Sequence, residues 1–569
     1  MRLALLIIAG LIATSPAAQA QNLWGIANPW LIEPNDAERY RRIFEIQEAA
    51  HWQDADILIN QLEDRRLMGH VLFQRYMHPT GWRSTYQELR DWLALYADQP
   101  GSRQIQRLGN RRRGNQPSLP RPTIELPVAS GQGENFGAID CEPPDRNSVV
   151  RNLTRQTRRD LSRSRPTATR QNLASQRNRL RADEYAYLMG LVAQSYYIEG
   201  LFDKAGDTAA DALATHNDPT ARWIAGLVAW RMQSYGVAAV HFEQAYDAEC
   251  GDAWTKARTA FWAGRAWLRA EQPEKLRTWL LRAAQFPLTF YGQLSLALGG
   301  DLEVWSLAMP PLNQGIMRTI TDHPAGARAL GLVQVGRMDR AELELMYLAQ
   351  AHRDDPELLR DIAVFAYTFL LPRAALFVGS IVTDEENTSY AAALYPMGPW
   401  HAQHPVSSAL IHAIIRQESR FRPDAVSNRQ AYGLMQVRPI AAKAVTGDRY
   451  RTTAQRRILL DPNVNVELGK AYFKSILVAE EGDLIYTIAS YNAGPTQVKK
   501  HRAKYQEISA DQSDPLLAIH SIPWIQTRQY IERIMANYWI YRHLLELPTP
   551  SLETLASNRW PVLSPEDLP

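Results

Sequence analysis

The sequence predicts an all-α protein in which a helical-repeat superhelix, a solenoid, precedes a smaller helical domain, and three observations carry that prediction. Apolar and aromatic residues between Glu38 and Tyr96 recur at helical spacing. From residue 183 a layout repeats, with matching glycines Gly190, Gly226 and Gly264 set 36 and 38 residues apart, near the length of a helix-turn-helix repeat. Apolar-striped segments resume beyond residue 389: Val464 to Leu477, Asp483 to Tyr491 and Trp524 to Leu545. At 569 residues the chain is too long for one core.

Residues 1–20 read as a secretory signal, with Arg2 at the positive start, Leu3 to Ile12 as the apolar run and Ala18-Gln19-Ala20 as the cleavage site. The run is too short to span a bilayer, and Gln21 after the cut is not the cysteine of a lipoprotein, so an exported protein without a membrane anchor is expected. Residues 21–100 form an N-terminal helical region with a turn at Pro79-Thr80-Gly81. Residues 101–182 read as a Pro/Gly- and Arg-rich connection. Arg111-Arg112-Arg113-Gly114, Pro117, Pro120, Pro122 and Pro127 offer little to bury, and a basic stretch with Arg151, Arg155, Arg158, Arg159, Arg163 and Arg165 follows at near-helical intervals. That stretch is first a solvated helix face and second an attraction for cell-wall carboxylates or an anionic membrane. Nucleic acid is not expected, because no nucleic-acid motif or aromatic platform accompanies the arginines.

Residues 183–388 carry the repeats, each expected to place a glycine where two helices meet closely; Gly331 with Gly336 marks a degenerate copy. Pro372-Arg373 divides the apolar stretch Ile362 to Ser380 into two short buried helices. A composition break near Thr383 to Asn387 opens the domain 389–548, and residues 549–569, with Pro550, Pro561, Pro565 and Pro569, read as an extended tail. The formal net charge of +3 selects no partner. Cys141 and Cys250 have no metal-ligand or CxxC spacing, which leaves a structural disulfide or two buried thiols.

Chemistry concentrates around Glu418. Leu410, Ile411, Ile414 and Ile415 form a helical stripe, and Glu418 falls three to four residues after the last two, so it continues the face turned to the core. Desolvation there disfavours the carboxylate and raises the pKa, as a general acid near neutral pH requires. Asp424 lies past Pro423 and reads as a turn residue; Asp461 before Pro462 reads as a helix start. No second carboxylate takes a catalytic position.

Five motifs follow in one order: Glu418-Ser419-x-Phe421-x-Pro423, then Ser427, then Gly433-Leu434-Met435-Gln436, then Asp461-Pro462-x-x-Asn465-x-x-x-Gly469, then Ala489-Ser490-Tyr491-Asn492-Ala493-Gly494. The set resembles the catalytic domain of the large soluble periplasmic lytic transglycosylases, which are related to goose-type lysozyme, over about residues 395 to 545. Upstream, Phe286-Pro287-Leu288-Thr289-Phe290-Tyr291-Gly292 is similar to part of the α-superhelix that precedes the domain in that family. The resemblance implies a lysozyme-like α domain, a periplasmic location and no metal or cofactor. Its partners would be peptidoglycan glycan strands and, through the superhelix, other envelope proteins. It also implies non-hydrolytic cleavage of the β-1,4 bond between N-acetylmuramic acid and N-acetylglucosamine, leaving a 1,6-anhydro end, with Glu418 as sole general acid and base. Substrate contacts carry over to Ser419, Ser427, Met435, Gln436, Tyr491, Asn492 and Gln526. A lysozyme-type hydrolase and a non-catalytic peptidoglycan-binding scaffold are the alternatives. Three positions depart from the family pattern: Gln430 stands where glycine is usual and puts bulk in a tight approach, Arg438 replaces methionine before Pro439, and Gln526 replaces a glutamate before Thr527-Arg528.

Overall fold

The computed structural model describes residues 30–126, 147–248, 250–299, 307, 309–383, 389–400, 405–448, 450–508 and 514–564. The expected signal sequence lies outside them. Among the described residues every regular element is a helix, with isolated bridges at Val426–Tyr432, Tyr432–Val437 and Asp483–Val562.

The chain divides into two compact units, and neither is continuous in sequence: Met1–Ser130 with Ser306–Pro399, and Gly131–Trp305 with Trp400–Pro569. In the first, helices Pro34–Glu48, Trp52–Asn60 and Met68–Tyr76 share one core with Pro324–Gln334, Met338–Ala351, Pro356–Thr368 and Pro372–Val382. The two short helices expected around Pro372 are the last of these. Gln334 closes the join by exchanging side-chain hydrogen bonds with the backbone of Ile32. Gly331, read from the sequence as a degenerate repeat position, serves the same join, because a Cβ there would stand 2.9 Å from Ile32 Cδ1. The expected separation of residues 21–100 from the repeats therefore does not hold. Periodicity gives each helix its apolar face but not the partner of that face.

In the second unit, helices Ala182–Ile198, Phe202–Leu213, Pro219–Arg231, Tyr235–Tyr246, Ala253–Arg269, Pro273–Ala284 and Phe290–Gly299 pack as successive antiparallel neighbours. The repeat glycines lie where the sequence puts them: a Cβ at Gly226 would meet Phe242 at 2.5 Å, and one at Gly264 would meet Trp279 at 3.1 Å. The last helix is fixed by Gly292, whose added Cβ would collide with the carbonyl of Phe286 at 1.9 Å. Phe290 stacks on Trp539 at 5.3 Å and the Tyr291 hydroxyl bonds His520 Nε2 at 2.6 Å, so this segment joins the array to the C-terminal helices.

Two expectations are corrected. The connection 101–182 contains helices Ser102–Arg112, Ser148–Leu161 and Pro166–Ser175. Its arginines mask narrow apolar stripes, such as Val150, Leu153, Thr154 and Thr157, which are enough to bury one helix side. The tail is not extended throughout, since Pro550–Ala556 is a helix with Leu552 and Leu555 buried. Pro550 there opens a helix, because the first turn needs no proline N–H. Beyond it, Leu563 N–H donates to Gly482 O at 2.9 Å. Cys250 is disulfide-bonded, while Cys141 lies outside the described residues.

Candidate functional site

The helix Pro405–Ser419 buries Leu410, Ile411, Ile414 and Ile415 as its stripe predicts, and carries Glu418 into its last turn. The chain then turns sharply through two left-handed residues, Arg420 (φ 52°) and Phe421 (φ 60°). Each is disfavoured by roughly 1–2 kcal/mol relative to glycine. Phe421, 1% exposed and stacked on Trp400, holds the turn in place.

The turn feeds a compact loop, Ala425 to Val437. Gly433 N–H donates to Ala425 O at 2.8 Å, and Tyr432 and Val437 exchange backbone bonds. Gly433 sits at φ 73°, and a Cβ there would lie 2.4 Å from Asn465 Nδ2, so two independent constraints require glycine. Asn465, fully buried, organises the loop: its Nδ2 donates to Tyr432 O and Leu459 O, both at 2.7 Å, and its Oδ1 accepts from Met435 N at 2.8 Å. Asp461 caps the helix Pro462–Ala479 by accepting from Val464 N, which is the role its sequence context indicates.

Glu418 opens into a cleft of about 650 Å³. Its side chain is half-buried and lines the cleft. Burial pushes its pKa up to about 7, against the opposing effect of a 2.7 Å hydrogen bond donated by the Tyr530 hydroxyl to Oε1. Among the described lining residues it is the sole carboxylate, facing Arg429, Arg438 and Arg533.

Six of the eight residues singled out from the sequence line this cleft: Glu418, Ser427, Gln436, Tyr491, Asn492 and Gln526. Gln436, at φ 50°, donates its amide to Gly433 O and Ala425 O. Ser427 Oγ accepts from Ala431 N, and Asn492 Oδ1 accepts from the Thr527 hydroxyl. The Tyr491 hydroxyl donates to Met435 O at 2.9 Å, and burial raises its pKa well above the usual phenol value, with the Glu418 charge second. Ser419 and Met435 are not among the lining residues. Ser419 bonds its own helix at Ile415 O, and Met435, fully buried, packs on Gly469, where a Cβ would meet its sulfur at 2.5 Å.

The bulk expected at Gln430 points outward. The side chain is exposed and accepts from Arg456, and what the position demands is a φ of 57°. Sequence reasoning missed Tyr530. Gln526, Gln529, Tyr530 and Arg533 share one side of the helix Ile525–Leu544 and all line the cleft, so extending the Gln526 face by helical spacing finds it.

A family model described as the Transglycosylase SLT domain matches residues 397–513. The soluble lytic murein transglycosylase of Salmonella typhimurium is 33% identical over 144 residues, 25% of this chain and 21% of that protein. Its Escherichia coli K12 counterpart is 33% identical over 137 residues, 23% and 20% of the two chains. The matched stretch thus spans about a fifth of these relatives' length. The solved lytic transglycosylase Slt of Pseudomonas aeruginosa, an inactive mutant, superposes with a TM-score of 0.54 at 19% identity, covering 91% of this chain and 90% of that one. A 70-kDa soluble lytic transglycosylase in complex with bulgecin A gives 0.64 at 16% identity, covering 93% and 99%. At such identities these structures establish a shared all-α fold.

Proposed function

We propose, from the match of residues 397–513 to the transglycosylase SLT domain and the likeness to soluble lytic murein transglycosylases, that this chain cleaves peptidoglycan glycan strands without water. The bond cut is the β-1,4 link between N-acetylmuramic acid and N-acetylglucosamine. The observation that carries this reading is Glu418, the only carboxyl group among the described residues lining the cleft, which burial pushes up to about 7.

Glu418, protonated, gives its proton to the glycosidic oxygen as the C1–O bond breaks. The carboxylate left behind takes the proton of the muramoyl C6 hydroxyl, and that oxygen closes onto C1. One proton is lent and one recovered, no water enters, and the product is a 1,6-anhydro sugar. The intramolecular nucleophile has a very high effective concentration, so a second carboxylate is unnecessary. A pKa near 7 suits a group that must serve as acid and then as base.

Tyr530 orients the carboxyl group. Gln436, whose amide hydrogens are engaged by Gly433 and Ala425, presents its carbonyl oxygen to sugar hydroxyl or acetamido donors. Ser427, Asn492 and Gln526 supply further polar contacts, while Ser419, Met435 and Tyr491 hold the walls in place. The cleft arginines favour the anionic character of the polymer. The proposed location is the periplasm; among the described residues no helix is long and apolar enough to cross a membrane.

The test is digestion of isolated sacculi followed by mass spectrometry. Soluble muropeptides one water lighter than hydrolytic products are expected. Products of hydrolytic mass would assign a lysozyme-type reaction, and sacculus binding without soluble product would leave only a scaffold.

A further inference from the structure

The cleft holds more positive charge than the two proton transfers use. Arg429, Arg438 and Arg533 line it, against Glu418 as the sole carboxylate among the described lining residues. Arg533 is committed to its surroundings, lying over the Trp254 ring at 5.8 Å and interacting with Glu532. Arg429 and Arg438 are not. Both are exposed, and among the described residues the side chain of neither makes a hydrogen bond or an ion pair. Arg456, by contrast, donates to Gln430 Oε1 at 3.1 Å and to Tyr450 O at 3.2 Å.

These two charges do not serve the acid. A guanidinium close enough to hold the Glu418 carboxylate would pull its pKa down, whereas burial raises it and the Tyr530 hydroxyl alone opposes that rise. Arg438 acts instead on the phenol of Tyr472, another residue of the cleft wall. It stands where methionine is usual in the family the chain resembles, so its charge is an addition of this chain.

Their position narrows the ligand. Arg429 belongs to the loop that brings Ser427 and Gln436 to the cleft, and Arg438 follows that loop directly. Two residues on, Ile440 is 70% exposed and lines the same space with Ala441 and Ala444. Guanidinium donors therefore stand beside a small apolar patch. A cleft of about 650 Å³ takes a ligand on the order of a disaccharide, so the charges it meets are those carried on the sugars themselves. On a muramoyl sugar that group is the lactyl ether, in which one carbon bears a methyl group and a carboxyl group. While a peptide is attached the carboxyl group is a neutral amide and offers the arginines no charge partner. Once the peptide is gone it is a carboxylate, which guanidinium groups bind through charge-assisted, often paired hydrogen bonds.

We infer that Arg429 and Arg438 select muramoyl residues whose lactyl carboxylate is free, so that this chain prefers glycan strands stripped of peptide. The inference rests on the proposed peptidoglycan reaction for the identity of the ligand. It also orders the chemistry: a hydrolase that adds one water across the amide between the lactyl carbonyl and the peptide amine has to act first.

The test uses the full chain and one batch of amidase-treated strands in two forms, with the lactyl carboxylate left free or converted by carbodiimide to its methylamide. The unmodified chain is expected to cut the free form with a kcat/KM about tenfold above that for the methylamide, and the double variant Arg429→Gln with Arg438→Gln to bring this ratio near one. Both side chains are exposed and unbonded, so the variants keep the fold; Arg438→Lys, which keeps the charge, should retain part of the preference. A ratio near one in the unmodified chain, a ratio that survives the double variant, or faster cutting of peptide-bearing than of stripped strands would overturn the inference. If neither form is cut, the proposed reaction fails and the selection is read as binding. Calorimetry on the same two forms then supports it by a tenfold difference that the double variant loses, and overturns it by equal binding.

Discussion

Two glutamates, one in each unit, have pKa values raised by desolvation and serve different ends. Glu342, in the helix Met338–Ala351, is 7% exposed, and desolvation pushes it up to about 8. Its Oε1 accepts from Arg373 N at 2.6 Å, and the Ala374 backbone N–H also bonds it, so the carboxyl group satisfies the start of the helix Pro372–Val382. Glu418 is pushed up to about 7, has one neutral hydroxyl as hydrogen-bond partner, and lines an open cleft. A raised pKa alone therefore marks burial. What separates the two is where the oxygens point: one carboxyl group is spent on backbone donors, and the other remains open to a reactant.

The largest expected effect breaks the pair apart. Glu418→Gln should lower release of anhydro products by about a thousandfold or more, with the helical circular-dichroism signal retained. Glu342→Leu should leave turnover intact and destabilise its own unit by about 2–3 kcal/mol, because two buried N–H donors lose their acceptor. Comparable activity losses in both variants would remove the distinction.

The pH dependence follows with a definite sign. Both carboxyl groups have folded pKa values above the ordinary 4.5, so the folded chain holds more protons than the unfolded one between that value and about 7 for Glu418 or 8 for Glu342. Stability contributed by these groups falls as pH rises through those windows and levels off above them. Glu418→Gln should flatten the part below pH 7 and Glu342→Gln the part reaching pH 8, as read by denaturant unfolding. Activity should follow Glu418 alone.

Next in size is Asn465→Ala. Met435 N–H and the Leu459 carbonyl lose their side-chain partner, and the Tyr432 carbonyl is left with the Val437 N–H alone, around a fully buried position. A loss on the order of 3 kcal/mol is expected, with the cleft wall failing before the helices, so substrate binding should weaken at temperatures where circular dichroism is unchanged. Simultaneous loss of both signals at one temperature would show that Asn465 supports the whole domain and not the loop in particular.

Tyr530→Phe is smaller and probes the cleft member of the comparison. The Tyr530 hydroxyl favours the carboxylate form of Glu418, so its removal raises the Glu418 pKa further. The alkaline limb of the pH–rate profile should move to higher pH by up to about one unit, with kcat at neutral pH down about tenfold and KM unchanged. An unmoved limb would reduce Tyr530 to a packing residue.

Much of this was legible in the sequence, and the illegible parts have physical causes. The glutamate stripe, the Asp461 cap and the repeat glycines depend on residues three to four apart or on one close approach, and they lie where spacing puts them. The join of residues 34–76 to 324–382 depends on contacts such as Ile32 with Gln334, about three hundred residues apart, for which local periodicity carries no signal. Arginine-rich helices such as Ser148–Leu161 were hidden by composition, since a few small or apolar residues per turn bury one side of a mostly charged segment. Tyr530 was missed because its partner lies 112 residues away. Ser419 and Met435, assigned to substrate by resemblance, instead support the groups that line the cleft.

The smallest effect concerns Gln430, where the chain departs from the glycine usual in the family it resembles. The expected conflict was steric, but the side chain is exposed and the demand is on the backbone, at φ 57°. Gln430→Gly removes about 1 kcal/mol of left-handed strain and gives up one exposed hydrogen bond from Arg456, worth a few tenths, against the greater freedom glycine has when unfolded. The net expectation is stabilisation by about 0.5 kcal/mol with turnover unchanged, read as a rise in the unfolding midpoint of the second unit. A drop in turnover would mean that the Arg456–Gln430 bond shapes the cleft rim. That would place a determinant of the open carboxyl group's surroundings on the solvent side of the loop, where nothing comparable stands beside Glu342.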